Sequence, residues 1–230
     1  MRNTATIIEF KPKQVQSNRR KASQKRIVNV DGIKYFNREQ IRLVRRTVRD
    51  RAISSSTKGN LTAIREWAAV DLLISSGLRV SETADLRCGD VKSAYGECAI
   101  FVRNGKGGRS RTVQVPDSLK RHLKSFVRWK VEQGEPTGVD DYLFVGQRGP
   151  WTSQAIQQVI KKYLKLLGLY ESGKSVHALR HSYAVELYRK CNNIRIVQKQ
   201  LGHASILTTQ IYVDITREQI QEQVVGIWAN

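Results

Sequence analysis

The stretch from Ser175 to Tyr212 constrains this chain more than any other part of it. It contains, in order, His177, Arg180, His203 and Tyr212, so that imidazoles, a guanidinium and a phenol follow one another without an acidic cluster. His177 and Arg180 are three residues apart, so a helix would place both on one face. Such side chains can hold a phosphate group while a tyrosine oxygen attacks it. The stretch therefore predicts a site for phosphate chemistry.

A second motif, Gly77-Leu78-Arg79-Val80-Ser81-Glu82, precedes this stretch. Taken in order with His177-Ala178-Leu179-Arg180-His181, Leu201-Gly202-His203 and Tyr212, it resembles the boxes of the tyrosine recombinase (phage integrase) family. The resemblance covers roughly residues 33 to 228, the size of one domain. It implies a mostly α structure with a small antiparallel β-sheet (α+β), which is the tyrosine recombinase catalytic-domain fold of DNA breaking-rejoining enzymes.

The resemblance assigns the groups that bind and neutralise a phosphate. Arg79 and Arg180 would clamp the non-bridging oxygens of the scissile phosphate, and Glu82 would orient these arginines. Lys106, in the glycine-rich turn Asn104–Gly108, would protonate the 5′-oxygen as it leaves. Positive side chains would thus replace divalent ions, so neither a metal nor a cofactor is expected.

The resemblance assigns the remaining roles to histidines and one tyrosine. His177 would bind a phosphate oxygen or take the tyrosine proton, His203 would donate to a non-bridging oxygen, and His181 would pack against or orient its neighbours. Tyr212 would be the nucleophile and would form a 3′-phosphotyrosine. A phenol has an unperturbed pKa of about 10, so its attack needs a positive field. The rival tyrosines inside the preceding predicted helix are Tyr183 and Tyr188.

The implied activity is site-specific cleavage and rejoining of double-stranded DNA, for integration, excision, inversion or resolution. The implied partners are specific DNA target sites, further copies of the chain in a dimer to tetramer on DNA, and accessory DNA-bending proteins. A type IB topoisomerase has similar chemistry and is an alternative interpretation. A non-catalytic DNA-binding regulator with the same fold is another.

The charge of the chain favours a polyanionic partner. Forty Lys and Arg against 20 Asp and Glu give a formal net charge of +20, which is typical of nucleic-acid-binding proteins. The most apolar stretch, residues 61 to 78, is interrupted by Arg65, Glu66 and Asp71 and predicts a buried helix rather than a membrane span. No signal-peptide pattern follows Met1, and three cysteines without a C-x-x-C pair favour a reducing interior. We expect no membrane partner and a cytoplasmic location at the nucleoid, with a bacterial, phage or archaeal origin.

Residues 1–30 predict a flexible basic arm, because eight Lys and Arg against the single acid Glu9 give 8 − 1 = +7. The arm would either become ordered on DNA or serve solubility, and a transit peptide is a third, weaker interpretation. Its candidate DNA-binding residues are Lys25 and Arg26. Residues 31–230 would form the catalytic domain, without the separate helical DNA-binding domain of ~100 residues that most family members place before it.

Periodicity predicts a helix from the cap Asn37 to about Arg51 with a basic stripe that would follow a phosphate backbone, although a solvated face is the alternative. The stripe and one residue of the later hairpin complete the DNA-binding candidates: Arg38, Arg42, Arg45, Arg46, Arg49 and Arg109. Ser81 and Ser205 are predicted helix caps. The other predicted helices are Leu61–Ser76, Pro116–Glu132, Thr152–Leu167 and Thr216–Trp228. The predicted extended segments are Glu97–Arg103, Arg111–Val115 and Tyr142–Val145.

Overall fold

A computed structural model describes residues 34–56, 61–92, 94, 96–105, 108–171 and 176–214. The predicted arm with Lys25 and Arg26, the predicted catalytic Lys106 and the predicted helix Thr216–Trp228 lie outside these residues. The helices are α1 (Arg38–Ser56), α2 (Thr62–Ser76), α3 (Val80–Ala84), α4 (Asp117–Glu132), α5 (Ser153–Leu166), α6 (Val176–Cys191), α7 (Ile194–Leu201) and α8 (Leu207–Asp214). The strands are β1 (Val91–Lys92), β2 (Ala99–Val102), β3 (Arg111–Gln114), β4 (Val145–Gly146) and β5 (Gly149–Pro150).

Helix α2 is the central element, and its neighbours include α1, α4, α5 and α6. One side of α2 places Leu72 in a cluster with β2 and α4, while the other side places Leu73 in a cluster with α1 and α5. The helix ends at Gly77, whose φ of 66° is accessible to glycine at little cost. A β-carbon at Gly77 would lie 2.4 Å from the Tyr183 ring. This close approach brings α6 against the end of α2, and the predicted helix and its glycine stop are confirmed.

Helix α1 extends to Ser56 rather than to the predicted Arg51. The reason lies in its buried face, where Val44, Val48 and Ala52 recur every four residues and are at most 2 % exposed. Because this stripe continues to Ala52, packing holds the helical conformation beyond the predicted end.

The sheet is antiparallel with the order β1-β2-β3, and Ile100 pairs with Val113 in its centre. Both predicted strands exist but are shorter than predicted, since they end where the cross-strand pairing ends. Strand β1 was not predicted, because its two residues are too few to show the alternation of apolar and polar side chains that is typical of a strand. The predicted segment at residues 142–145 becomes a strand only at Val145, in a hairpin with Pro150. The predicted mostly helical fold with a small antiparallel sheet is confirmed.

Helices α6, α7 and α8 enclose a separate small core that contains Val185, Val197, Leu201 and the ring of Tyr212. The Ser205 hydroxyl accepts a hydrogen bond from the N–H of Leu207, the first residue of α8, at 3.2 Å, although Ser205 itself lies two residues before the helix.

The predicted cap at Ser81 is wrong, because Arg79 occupies the cap position of α3. The Glu82 carboxylate accepts from the Arg79 backbone N–H at 2.8 Å. The carboxylate at the third residue of the helix thus satisfies the backbone N–H of the cap residue.

Candidate active site

Glu82 lies at the centre of the site and is only 4 % exposed. Its carboxylate accepts from Arg79 Nη1 at 2.7 Å and from Arg111 Nη1 and Nη2 at 2.7 and 2.9 Å. The two-point contact with Arg111 fixes the plane of that guanidinium. One buried carboxylate thus holds two arginines that come from different elements, the start of α3 and strand β3.

The Glu82 side chain is an ionised carboxylate at neutral pH. Burial favours its neutral form, but hydrogen bonds from Arg111 and from the Arg79 backbone outweigh this effect and lower the pKa of Glu82 to about 2. The two guanidiniums therefore face a permanent negative charge.

Arg180 is 7 % exposed and connects the ends of two helices. Its Nη1 donates to the Gly77 carbonyl at 2.6 Å and its Nη2 donates to the Leu201 carbonyl at 2.7 Å. These carbonyls belong to the C-terminal ends of α2 and α7, where backbone acceptors lack helical partners. Nη1 also lies 4.0 Å from Glu82 Oε2. Burial lowers the pKa of Arg180 to about 10, so the side chain stays charged at neutral pH.

Tyr212 lies on α8 with only 1 % of its surface exposed. Its hydroxyl lies 2.9 Å from His181 Nδ1. Burial raises the pKa of Tyr212 to about 12, although Arg180 and Arg79 act in the opposite direction. The phenol is therefore protonated at neutral pH, and two guanidiniums are close enough to stabilise the phenolate.

His203 follows the Gly202 turn, and its Nδ1 lies 2.9 Å from the hydroxyl of the fully buried Thr209. Its ring is nearly parallel to the Tyr212 ring, with an interplanar angle of 20° and a centroid separation of 6.4 Å. Burial first, and then Arg180 and Arg79, lower the pKa of His203 to about 4. His203 is thus a neutral imidazole beside the phenol at neutral pH.

The structure brings four of the six predicted catalytic residues together. Arg79, Arg180, His203 and Tyr212 surround one region together with Glu82 and His181. His177 is exposed in the first turn of α6, one turn before His181. Lys106 lies between β2 and β3 in the sequence and is outside the described residues.

Sequence reasoning missed Arg111. It is the first residue of β3, and its ion pair with Glu82 spans 29 positions of the chain. The glycine of the Leu-Gly-His motif, Gly202, is an indirect sign that another group packs closely against this turn. A β-carbon at Gly202 would lie 2.7 Å from Arg111 Cδ and Nε, so only glycine leaves room for this side chain. Arg111 Nε is buried and has no hydrogen-bond partner among the described residues.

The basic stripe predicted on α1 divides into arginines with long-range ion pairs and arginines without them. Arg38 bonds to Glu186 at 2.7 Å, and Arg45 bonds to the buried Asp71 at 2.8 Å. Arg46 is 82 % exposed and lies 3.5 Å from its helical neighbour Asp50. The members without those two long-range ion pairs are Arg42, Arg46 and Arg49. Arg109 lies exposed beyond the hairpin turn.

No group of three or more His, Cys, Asp or Glu side chains in the described part of the chain is arranged to hold a metal ion. No helix within the same residues is long and apolar enough to cross a membrane.

Comparison with known proteins identifies the family. The model of the phage integrase family matches residues 43–219. The chain is 34 % identical over 165 residues to tyrosine recombinase XerA of Pyrococcus furiosus, which covers 70 % of this chain and 54 % of that protein. It is 38 % identical over 157 residues to tyrosine recombinase XerC of Nitrobacter winogradskyi, which covers 68 % of this chain and 47 % of that protein. The chain thus spans about half the length of the curated relatives it matches.

Solved structures agree with this assignment. A XerA recombinase structure matches with a TM-score of 0.66 and 29 % identity, over 83 % of this chain and 65 % of that one. A structure of XerH site-specific recombinase shares the fold, with a TM-score of 0.68 and 23 % identity over 86 % of this chain and 54 % of that one. The chain therefore belongs to the phage integrase family and has the tyrosine recombinase catalytic-domain fold.

Proposed function

We propose that the chain is a site-specific DNA recombinase that cleaves and rejoins DNA strands through a 3′-phosphotyrosine on Tyr212. The observation that carries this proposal is the pair of guanidiniums, Arg79 and Arg180, beside the buried Tyr212. Both lower the pKa of the phenol, which burial raises. Both are fixed before any substrate binds, one by Glu82 and the other by backbone carbonyls. Fixed cations of this kind stabilise charge that develops in a transition state.

The proposed reaction exchanges one phosphodiester bond for another. Tyr212 Oη attacks the scissile phosphorus while the bond to the 5′-oxygen breaks, and Arg79, Arg180 and His203 hold the non-bridging oxygens. Lys106 supplies the proton that the leaving 5′-oxygen needs. The bond energy remains in the phosphotyrosine, so the reverse attack by a 5′-hydroxyl reseals DNA without ATP.

Double-stranded DNA is the proposed partner. Among the relatives, XerH was solved bound to a palindromic difH substrate in a post-cleavage complex. In this chain the net charge of +20 supports the same class of ligand. We assign phosphate contacts to the predicted arm and to Arg42, Arg46, Arg49 and Arg109. Arg46 and Arg49 are paired only with their exposed neighbour Asp50, whereas Arg38 and Arg45 are paired with Glu186 and Asp71 on other elements.

The deciding experiment captures the covalent intermediate. A nicked suicide substrate loses a short strand on cleavage, so the protein stays attached to the 3′ end, and sequencing the attached DNA gives the target site. Absence of any adduct on DNA from the chain's genomic context would overturn the proposal. Relaxation of supercoiled DNA without dependence on sequence would instead favour a type IB topoisomerase.

Metal independence is the first expected result. Because guanidinium, ammonium and imidazole groups supply the positive charge, single-turnover cleavage should proceed equally fast in EDTA and in Mg²⁺. The measurement is adduct formation on the suicide substrate after dialysis against chelator. A strict requirement for Mg²⁺ would contradict the assigned roles of Arg79 and Arg180.

Deletion of residues 1–25 tests the basic arm. The deletion removes seven Lys and Arg, so affinity for all DNA should fall while site preference stays. The slope of log affinity against log salt should flatten by about 0.9 for each phosphate that the shortened protein no longer neutralises. A full-length variant with the same seven residues changed to Gln is the matched control for chain length. An unchanged salt slope would show that the arm does not touch DNA.

We also propose that the chain assembles on DNA through its last residues. A groove of about 930 Å³ between α1, α6 and α7 has the apolar side chains Ile41, Leu187 and Ile196 on its wall, with Ile196 48 % exposed. Residues 216–228 carry Ile220, Val224, Ile227 and Trp228 at helical spacing. We assign this segment to the groove of a neighbouring copy.

Truncation after Ile215 separates docking on a neighbour from folding back. Under docking on a neighbour, the shortened chain stays folded and binds single sites, but it loses higher-order complexes in native gels and light scattering. Ile196→Ser should give the same loss in the full-length chain. If truncation instead unfolds the protein, the segment belongs to its own core.

A further inference from the structure

The Tyr212 hydroxyl has one hydrogen-bonding neighbour among the described residues, and it is His181 rather than His177. The 2.9 Å distance joins Oη to Nδ1, and the two rings are tilted by 49°. His181 directly follows Arg180, so the helix that carries the phosphate clamp also carries the partner of the nucleophile. From the sequence, His181 was expected only to pack against or orient its neighbours.

We propose that His181 is the catalytic base of the cleavage step and accepts the Tyr212 proton at Nδ1, an inference that rests on the proposed function. As Oη forms its bond to phosphorus, the phenolic proton moves to His181 and the bond from phosphorus to the 5′-oxygen breaks. The 5′-oxygen takes a proton from a separate donor, which the proposed function identifies with Lys106. In resealing, His181 returns its proton to the departing Tyr212 oxygen, so protons balance in both directions.

The other two imidazoles of the site fit this role less well. His203 Nδ1 is already engaged with the Thr209 hydroxyl at 2.9 Å, and its ring lies nearly parallel to the phenol. His177 is exposed in the first turn of α6. Both can still bind phosphate oxygens, because the Nε2 of His203 and the exposed ring of His177 are available to donate hydrogen bonds.

The charges around the pair keep it neutral at rest. Among the described residues, the ionisable groups that act on His181 or Tyr212 are His177 and Arg180 on α6, Arg79 at the start of α3 and His203 after α7. Burial, followed by His177 and Arg180, lowers the pKa of His181 to about 4, while the pKa of Tyr212 is about 12. The proton therefore stays on the phenol until a phosphodiester brings negative charge next to the imidazole. Proton transfer is thereby tied to the presence of substrate.

The test compares His181→Asn with wild type in single-turnover cleavage of a suicide substrate between pH 6 and 9. An asparagine oxygen can still accept a hydrogen bond from the phenol but cannot take its proton in this range. We expect H181N to cleave roughly 10²- to 10⁴-fold more slowly at neutral pH. Hydroxide must then remove the proton, so the ratio of the H181N rate to the wild-type rate should rise about tenfold per pH unit. A residue with a merely structural role would lower the rate without changing this pH profile.

The controls use the remaining histidines. His122→Asn alters a histidine that contacts Asp71 and Trp67 outside the site, and its profile should match wild type. His177→Asn should be slower with the wild-type pH dependence. A tenfold rise per pH unit in H177N but not in H181N would overturn the inference and make His177 the base.

Thermal unfolding and gel shift on uncleaved DNA establish that each variant is folded and binds. His181→Gln replaces H181N should the latter fail to fold, and an H181Q profile parallel to wild type would likewise overturn the inference. Failure of the wild-type protein to form any adduct is a different outcome, because it removes the proposed function itself.

Discussion

Tyr212→Phe should abolish the covalent protein–DNA adduct while leaving the fold and DNA binding in place. The substitution removes one oxygen from a ring that is 1 % exposed and packs against α6 and α7. Removal of the hydrogen bond to His181 Nδ1 should cost roughly 1 kcal/mol of unfolding free energy. Because the substitution removes the proposed nucleophilic oxygen itself, adduct should be undetectable in gels. Binding should be unchanged in a gel shift at the same salt concentration.

Tyr183→Phe and Tyr188→Phe are the matched controls, since each removes the hydroxyl of a rival tyrosine on α6. Tyr183 hydrogen-bonds to Gln200 Nε2 at 2.9 Å, so its substitution tests a structural hydroxyl near the site. Both variants should still form adduct. Adduct formation by the Tyr212→Phe protein would disprove the assignment, and peptide mapping would then identify the true nucleophile.

Arg180→Lys should lower the rate of cleavage by about 10²- to 10³-fold, the usual cost of removing one fixed transition-state donor. A lysine keeps the charge but not the fork that reaches Gly77 and Leu201 at 2.6 and 2.7 Å. At least one of these buried carbonyls loses its donor, which should cost roughly 1–3 kcal/mol of stability. The same substitution should therefore affect both catalysis and thermal unfolding.

Arg128→Lys provides the control for the chemical change. Arg128 lies on α4 with 76 % of its side chain exposed, and its ion pair with Glu132 is a surface contact. Its substitution should change neither cleavage nor stability measurably. A normal cleavage rate in Arg180→Lys would contradict the clamp role, and a normal melting temperature would contradict the structural one.

The sequence predicted the elements whose determinants are local. The length of α2, its end at Gly77 and the extent of α4 follow from apolar periodicity and from glycine or proline at an end. The boundary of α1 was missed because Ala52 continues the buried stripe weakly, and β1 because it has two residues. These errors arise where tertiary packing, and not the local pattern, fixes the conformation.

The contacts within the site depend on residues that are distant along the chain. Arg111 meets Glu82 across 29 positions and His181 meets Tyr212 across 31, and no local periodicity reports such pairings. The same limit applies to α1, where spacing indicated a basic face but could not reveal that Arg45 neutralises Asp71. Sequence could name candidate residues for the site, whereas the partner of each side chain required the fold.

Arg180 links the proposed catalytic site to the fold through its bonds to the ends of α2 and α7. Because one side chain has both roles, the order in which a descendant of this chain can lose its site residues is constrained. A lineage that no longer needs strand exchange can lose the Tyr212 hydroxyl at a small cost in stability and still bind DNA. Loss of Arg180 would leave the Gly77 and Leu201 carbonyls without their donor, so selection for a folded DNA-binding protein would retain the arginine. In inactive relatives, the tyrosine should therefore disappear first, and an intact Arg180 should not be taken as a sign of activity.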